Sequence, residues 1–308
     1  MSRKSLLIVA VSFAFTLLTA LAGAQTFSFQ TLDNPTDPTF NQLLGINDSA
    51  SIVGYYGSGV AGHPNKGYKI QKPYTTYINE NFPGSAQTQM TSLSDDGNST
   101  CFFATTNTGT DANFGCIRLG NGTYIEVNNP LVSSSPKVNQ LLGINQSGIA
   151  AGFYNDAAGN SHAYTYAMNT KVFAPVTIAG AVSSAATGIN NGGLVSGFFQ
   201  NSAGTTEGFV KRISGSGTLL VTLAADGSSF TQLLGLNDGG IAVGFYNDSN
   251  GTPHGIYYNF LTGQLLTVND PDGVNGTVVN GLNNKGQLVG FYTDEGNNTH
   301  GMIVTVTP

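Results

Sequence analysis

Three histidines of this 308-residue chain each follow an aspartate by six residues. The pairs are Asp156 with His162, Asp248 with His254, and Asp294 with His300. An imidazole beside a carboxylate can transfer protons, and imidazole is also a common metal ligand. The same spacing suits a structural hydrogen bond that braces a turn. The positions of these pairs on the secondary-structure elements determine which of these roles is possible.

Glutamine recurs at similar intervals, at Gln42, Gln89, Gln140 and Gln232. A side-chain amide both donates and accepts hydrogen bonds, so a ring of amides can bind the hydroxyl groups of a sugar. Such a ring can equally hold ordered water in a polar channel. Both interpretations require that the four amides face a common space.

An internal repeat positions all of these residues. Its most regular part reads GINQSGIAAGFY from Gly143 and GLNDGGIAVGFY from Gly235. Related blocks begin at Gly45, Gly188 and Gly281, and a degenerate copy begins at Ser92. The six starts lie 45 to 51 residues apart. A period of this length is typical of solenoids and propellers.

Each repeat contains four short strand patterns. In the unit from Phe230, FTQLLGLN, IAVGFY, PHGIYYNF and QLLTVND are separated by turn residues such as Asp238, Gly239 and Gly263. Charged residues make up only 9% of the chain and glycine is abundant, with 41 residues, which favours strands over long helices. The sequence therefore predicts an all-β, six-bladed β-propeller with four antiparallel strands per blade.

The two ends of the chain complement each other. The last repeat stops after a third strand, whereas TFSFQTLDNP from Thr26 resembles a fourth strand. We expect Phe27 to Leu32 to form the outer strand of the blade that ends at Val306. The ring is then closed by the N-terminal strand joining the C-terminal blade, which removes two exposed edges. A β-solenoid is the alternative, but its coils are usually shorter.

In this fold the three histidines begin third strands, two strands out from the channel. At about 4.8 Å per strand this is roughly 10 Å, too far for three blades to share one ion. The units that lack the histidine also lack the aspartate, since they carry Asn201 with Glu207 and Ser58 with Lys66. We therefore predict structural Asp–His pairs, no metal site and no cofactor, with a functional role as the alternative.

The four glutamines begin first strands, which are innermost in a propeller. They should face the mouth of the channel, and the equivalent positions of the other two units are Ala185 and Val278. We predict a ligand site at Gln42, Gln89, Gln140 and Gln232, with channel water as the alternative. The repeated asparagines at Asn47, Asn145, Asn190, Asn237 and Asn283 are interpreted as turn residues.

The N-terminus predicts export. Arg3 and Lys4 precede an apolar run from Leu6 to Leu21, and small residues follow it. We expect a signal peptide over residues 1–24 and a single propeller domain over 25–308, secreted into a periplasmic or extracellular space. A membrane anchor is the alternative, although the run is short for a span of about 20 residues.

The predicted export and the net charge limit the classes of partner. Without Arg3 and Lys4, nine basic residues face 17 acidic ones, a net charge of −8, so we expect no nucleic-acid partner and no membrane partner after cleavage. We expect a monomer. An oxidising compartment favours a disulfide between Cys101 and Cys116, with two buried free thiols as the alternative.

One motif carries a family resemblance. His162-Ala163-Tyr164 follows a G-I-N block, and His254-Gly255-Ile256 is a weaker version. The units resemble the extracellular HAF-repeat family, named for a His-Ala-Phe motif. Lys66-Gly67-Tyr68 departs at the histidine, and the chain has no tryptophan. The resemblance implies an exported, propeller-like repeat protein and implies no activity.

The sequence favours a non-enzymatic binding or scaffold propeller whose partner is a carbohydrate or a surface protein. It contains no G-x-S-x-G, H-E-x-x-H or phosphate-binding G-x-x-x-x-G-K motif. Asp33, Glu80 and Asp270 lie near the predicted mouth, so a polysaccharide hydrolase or lyase remains an alternative. A purely structural cell-surface protein is the third hypothesis.

Overall fold

The computed structural model describes residues 25–213 and 220–307. The predicted signal peptide lies outside these residues. Within them the chain forms 24 strands in six four-stranded antiparallel sheets, together with one 3-10 turn at Ala225–Gly227. This is the predicted six-bladed propeller. No helix in the described ranges is long and apolar enough to cross a membrane.

The first blade follows the N-terminal strand, and in each of the first five blades strand order equals chain order. The strands are β1 (Thr26–Thr31), β2 (Asn41–Ile46), β3 (Ile52–Tyr56), β4 (Lys66–Ile70), β5 (Tyr77–Asn79), β6 (Gln87–Leu93), β7 (Ser99–Ala104), β8 (Phe114–Arg118), β9 (Tyr124–Glu126), β10 (Asn139–Ile144), β11 (Ile149–Asn155) and β12 (Ser161–Ala167).

The second half of the ring repeats this arrangement. Its strands are β13 (Val172–Pro175), β14 (Ala181–Ile189), β15 (Leu194–Asn201), β16 (Thr206–Arg212), β17 (Leu220–Leu223), β18 (Thr231–Leu236), β19 (Ile241–Asn247), β20 (Pro253–Asn259), β21 (Gln264–Val268), β22 (Thr277–Leu282), β23 (Gln287–Thr293) and β24 (Thr299–Thr307).

The sixth blade is built from both ends of the chain, in the order β1-β24-β23-β22. Phe27 pairs with Val306 and Thr31 pairs with Met302. Beyond the strand, the Leu32 amide still donates to the carbonyl of Gly301 at 2.8 Å. The outer edge of the last blade is therefore covered by main-chain hydrogen bonds.

In five of the six blades the second glycine of the repeat lies against the main chain of the innermost strand. The β2–β3 register shifts between Leu43 and Gly45, and this brings the Gln42 carbonyl over Gly54. A methyl group at Gly54 would lie 2.1 Å from that oxygen, so any side chain there would collide with the main chain.

The repeated asparagines join neighbouring blades as well as forming turns. In Asn145, Oδ1 accepts the amides of Ser147 and Ile149, while Nδ2 donates to the Asn190 carbonyl of the next blade at 3.0 Å. We name the five repeated asparagines, Asn47, Asn145, Asn190, Asn237 and Asn283, the asparagine ring. Their inter-blade bonds run from Asn47 to Ser94, Asn145 to Asn190, Asn190 to Asn237, Asn237 to Asn283 and Asn283 to Asn47. The interpretation of these asparagines as turn residues alone therefore missed their hydrogen bonds to the next blade.

The channel wall alternates apolar and polar side chains around the axis. One cavity of about 180 Å³, bordered by all six innermost strands, is lined in turn by Leu44, Thr91, Leu142, Thr187, Leu234 and Asn280. The three polar members donate to the next blade, at 2.8 Å to the Leu141 carbonyl, 2.7 Å to that of Leu233 and 2.9 Å to that of Leu43. The three polar side chains that line this cavity therefore already have hydrogen-bond partners.

Replacing Asn145 by aspartate separates the two roles of the asparagine ring. An aspartate still accepts the turn amides, but it has no N–H group to donate to Asn190. We expect Asn145→Asp to lower the free energy of unfolding by about 1–2 kcal/mol in urea denaturation.

Asn121→Asp is the matched control, because the side chain of Asn121 accepts the Thr123 amide in an exposed turn. We expect it to change the free energy of unfolding by less than about 0.5 kcal/mol. Equal effects of the two substitutions would show that the inter-blade bond adds nothing.

Candidate functional site

The structure brings each predicted Asp–His pair into contact. Nε2 of His162 lies 2.8 Å from Oδ2 of Asp156, and the matching distances are 3.4 Å for His254 and 3.2 Å for His300. Each imidazole also stacks on a tyrosine of the second strand. The stacking partners are Tyr154, Tyr246 and Tyr292, with ring centroids 5.1 to 5.3 Å apart.

These pairs brace the turn between the second and third strands. Oδ1 of Asp156 accepts the amides of Ala158 and Asn160 within that turn. The fourth unit has a comparable bond, because Nδ2 of Asn201 donates to Glu207 at 3.3 Å. In the described residues, no three histidine, cysteine or acidic side chains are grouped so that they could share a metal ion. In the third blade, Asp156 thus connects the turn to the imidazole of the third strand.

The second imidazole nitrogen distinguishes the three histidines. Nδ1 of His254 faces Nδ2 of Asn269 at 2.9 Å, and Nδ1 of His300 faces Oδ2 of Asp33 at 2.7 Å. No described residue hydrogen bonds to Nδ1 of His162, which is also the most exposed of the three, with 42% of its side chain accessible.

His300 lies between two carboxylates. Burial alone would lower the pKa of His300, but the hydrogen bonds that the imidazole makes to Asp33 and Asp294 outweigh burial and raise it above the ordinary value. The hydrogen bonds of Asn298 and His300 in turn lower the pKa of Asp294 to about 2. The imidazole charge therefore stabilises the sixth blade where β1 meets β24.

Two of the four predicted glutamines share one cleft. Gln89 and Gln140 line a space of about 790 Å³ between the second and third blades and the edge of the first. We name this space the amide cleft. Its other polar lining residues are Ser58, Asn65, Gln87, Thr88, Thr110, Asp111 and Asn113. Gln42 and Gln232 do not line it, so the predicted ring of four is not a single site.

Gln89 and Gln140 are each held by an asparagine of the preceding blade. Nε2 of Gln89 donates to Oδ1 of Asn65 at 2.8 Å, and Nε2 of Gln140 donates to Oδ1 of Asn113 at 2.7 Å. Both glutamines are half-buried, and no described group donates to either Oε1 atom. The amides are thus oriented with an acceptor left for a ligand.

An aromatic residue stands opposite every predicted glutamine. The cross-strand pairs are Gln42 with Tyr55, Gln89 with Phe102, Gln140 with Phe153 and Gln232 with Phe245. Cross-strand partners share one face of a sheet, so an aromatic ring lies beside each amide. These aromatic residues are absent from the site predicted from the sequence, although Tyr55, Phe153 and Phe245 each directly follow the second glycine of a repeat.

The first blade closes this arrangement. The Tyr55 hydroxyl donates to Oε1 of Gln42 at 2.8 Å, and Tyr55 is buried. In the second blade, by contrast, the half-buried Phe102 lines the amide cleft. Gln89 and Phe102 are therefore open to a ligand, and Gln42 is already occupied.

The candidate catalytic carboxylates are engaged in structural contacts. Glu80 is buried against Arg118 and the Tyr124 hydroxyl. Asp33 accepts from the Gly301 amide and contacts His300. Asp270 is buried, which raises its pKa, and it accepts the Asp272 amide.

The two cysteines form a disulfide inside the second blade. Cys101 on β7 stands directly opposite Cys116 on β8, with their Cα atoms 4.9 Å apart, and both are fully buried. The bond links the two strands behind Phe102, the aromatic residue of the amide cleft, and so belongs to the scaffold of the cleft.

Comparison with known proteins shows the fold and no closer relationship. No family model and no curated protein matches this sequence. The TolB-type protein from Agrobacterium tumefaciens superposes with a TM-score of 0.56 at 12% identity, over 93% of this chain and 100% of that one. TolB from Acinetobacter baumannii gives 0.55 at 11% identity, over 84% of this chain and 66% of that one.

A lectin is also similar in structure. A mutant of the Aleuria aurantia lectin in complex with Fucα1-6GlcNAc superposes with a TM-score of 0.51 at 8% identity, over 88% of this chain and 95% of that one. At such identities, shared architecture says nothing about which residues bind.

The stability lost on removing the His300 charge should depend on pH. A histidine with a raised folded pKa contributes stability below its unfolded pKa, and this contribution is lost as pH rises through the folded pKa. We expect His300→Gln to lower the free energy of unfolding by about 1 kcal/mol more at pH 5.5 than at pH 8.5. Urea denaturation at the two pH values measures this difference, and an equal loss at both would contradict the raised pKa.

Proposed function

We propose that this chain is an exported, non-enzymatic binding propeller that takes a neutral oligosaccharide in the amide cleft. The observation that carries the proposal is the set of oriented amides of Gln89 and Gln140 beside the accessible ring of Phe102. Amides match the mixed donors and acceptors of sugar hydroxyls, and an aromatic face packs against the apolar face of a pyranose ring.

The size and charge of the cleft support a neutral ligand. A space of about 790 Å³ lies within the range of small-molecule sites, roughly 300 to 1,000 Å³. Asp111 is the single charged residue that lines it. Hydrogen bonds from Thr106 and Thr108 lower the pKa of Asp111, so it carries a negative charge. This carboxylate would repel an anionic polymer but not an uncharged sugar.

The carboxylates favour binding over hydrolysis. A glycosidase needs two carboxyl groups that face the same bond, one as acid and one as base or nucleophile. Glu80 pairs with Arg118, Asp33 holds the Gly301 amide, and Asp270 accepts the Asp272 amide. The export part of the proposal rests on the predicted signal peptide, and membership of the HAF-repeat family remains a prediction.

A glycan array with three forms of the protein tests the proposal. We expect the wild type to bind neutral oligosaccharides and the double variant Gln89→Ala/Gln140→Ala to bind at least about tenfold more weakly, a loss of about 1.4 kcal/mol. Gln232→Ala is the matched control, because Gln232 occupies the same repeat position outside the amide cleft. Absence of glycan binding by the wild type, or equal loss in the control, would overturn the proposal.

Phe102 should contribute through its ring. Phe102→Leu keeps an apolar side chain but removes the flat aromatic face, so we expect the Kd for the glycan found on the array to rise about five- to tenfold. Isothermal titration measures this change. Phe245→Leu, the equivalent substitution in the fifth blade, should leave the Kd unchanged. A Kd unchanged in Phe102→Leu would exclude stacking on this ring.

A further inference from the structure

A second cavity lies between the third and fourth blades, away from the amide cleft. This groove has a volume of about 440 Å³ and mostly apolar walls, which include Leu131, Phe173, Pro175, Ile178 and Val182. Leu131 and Val182 expose 64% and 46% of their surface. Apolar side chains this exposed around one concavity are typical of a binding surface. We name it the 3–4 groove.

The groove exists because the chain leaves the third blade differently. In three other blades, the side chain of the second residue after the fourth strand accepts a main-chain amide of the third strand. These contacts join Asn81 to Gly67 at 3.1 Å, Asn128 to Gly115 at 3.1 Å and Asp33 to Gly301 at 2.9 Å. In the third blade this position is Thr177, and the Ala163 amide donates instead to Oγ of Ser184 in the next blade at 3.2 Å.

Ala163 itself explains the change. Its counterparts Gly67, Gly115 and Gly301 lie so close to the exit carbonyl that an added methyl would stand 2.4 to 2.5 Å from the oxygen. The methyl group of Ala163 is tolerated only if the Val176 carbonyl turns elsewhere. The Val176 amide still donates to Ala163 at 2.9 Å, so the chain diverges immediately after this residue, at Thr177.

The loop that enters the fourth blade also leaves the groove uncovered. In each of the other five blades, a side chain at the start of the first strand accepts a main-chain amide from the loop that enters that blade. These bonds run from Asn34 to Asn41, Phe82 to Thr88, Asn129 to Asn139, Ala225 to Thr231 and Asp270 to Thr277. Ser184 is the counterpart in the fourth blade, and its hydroxyl accepts from the third blade instead.

His162 presents an acceptor at this groove. Its Nε2 lies 2.8 Å from Oδ2 of Asp156, and because a carboxylate accepts hydrogen bonds, Nε2 is the donor. In the neutral imidazole Nδ1 is then the acceptor. In the fifth and sixth blades Nδ1 points at Asn269 and Asp33. The equivalent residue here is Thr177, which lines the 3–4 groove together with His162.

We propose that the 3–4 groove binds an uncharged phenol, whose hydroxyl donates to Nδ1 of His162 while its ring packs between Leu131, Pro175 and Val182. The acidic hydroxyl of a phenol is a better donor to an imidazole than a sugar hydroxyl is. Among the described residues, no lysine, arginine, aspartate or glutamate lines the groove, so a charged ligand would be desolvated without a partner. This site is independent of the amide cleft.

NMR titration of the purified protein with 4-methylphenol tests this assignment. We expect saturable shifts of resonances lining the groove, and a Kd at least about tenfold weaker for toluene, which has the same ring and methyl group but no hydroxyl. Toluene binding as tightly as 4-methylphenol, or no saturable shift with 4-methylphenol, would overturn the proposal.

Thr177→Asn is the sharpest variant, because Thr177 lines the groove together with His162, and a longer amide side chain there would fill the space beside Nδ1. We expect it to abolish 4-methylphenol binding while the protein stays folded, and His162→Gln to weaken binding about tenfold. His254→Gln is the matched control and should leave the Kd unchanged. Unaltered binding in Thr177→Asn would overturn the role of Nδ1.

N-acetyl-tyrosinamide distinguishes the source of the phenol. Binding of both compounds would support the proposal with a protein tyrosine as the occupant. Binding of 4-methylphenol alone would support it with a free small molecule. Glycan binding by Thr177→Asn should equal that of the wild type, which keeps this result separate from that of the amide cleft.

Discussion

The contact between neighbouring blades is the constraint on which the rest of this structure depends. A four-stranded blade has two faces to bury, and only the next blade can bury them, so the ring must close before any blade is complete. The asparagine ring serves this closure. One amide, such as that of Asn283, closes its own turn through Oδ1 and reaches the Asn47 carbonyl of the next blade through Nδ2. A single residue type thus couples local turn geometry to the assembly of the ring.

A regular frame of this kind makes its irregular places informative. The amide cleft lies at the second blade, whose repeat is the most degenerate and where Ser94 stands in place of a ring asparagine. The 3–4 groove lies where Ala163 and Thr177 depart from the pattern of the other blades. Both cavities lie at blades that depart from the repeat pattern.

The repeat lets equivalent residues be compared within one molecule. Each of the three repeated histidines contacts an equivalent aspartate and stacks on an equivalent tyrosine. The surroundings of the Nδ1 atom nevertheless differ among His162, His254 and His300. Gln42 and Gln89 occupy one position, but Tyr55 engages the first, and Phe102, which has no hydroxyl, stands opposite the second. The two candidate sites are therefore distinguished by contacts that one blade lacks and an equivalent blade has.

The sequence by itself determined the number of blades, the four strands of each blade and the Asp–His spacing, because these depend on local periodicity and turn chemistry. It also indicated the spare strand at Thr26, since a missing fourth strand is visible as a count. Only the tertiary structure decided that Gln89 and Gln140 share a cleft, and that Nδ1 of His162 has no partner among the described residues. Those features depend on the side chains that a neighbouring blade presents across the interface, and the pattern within one repeat does not record them.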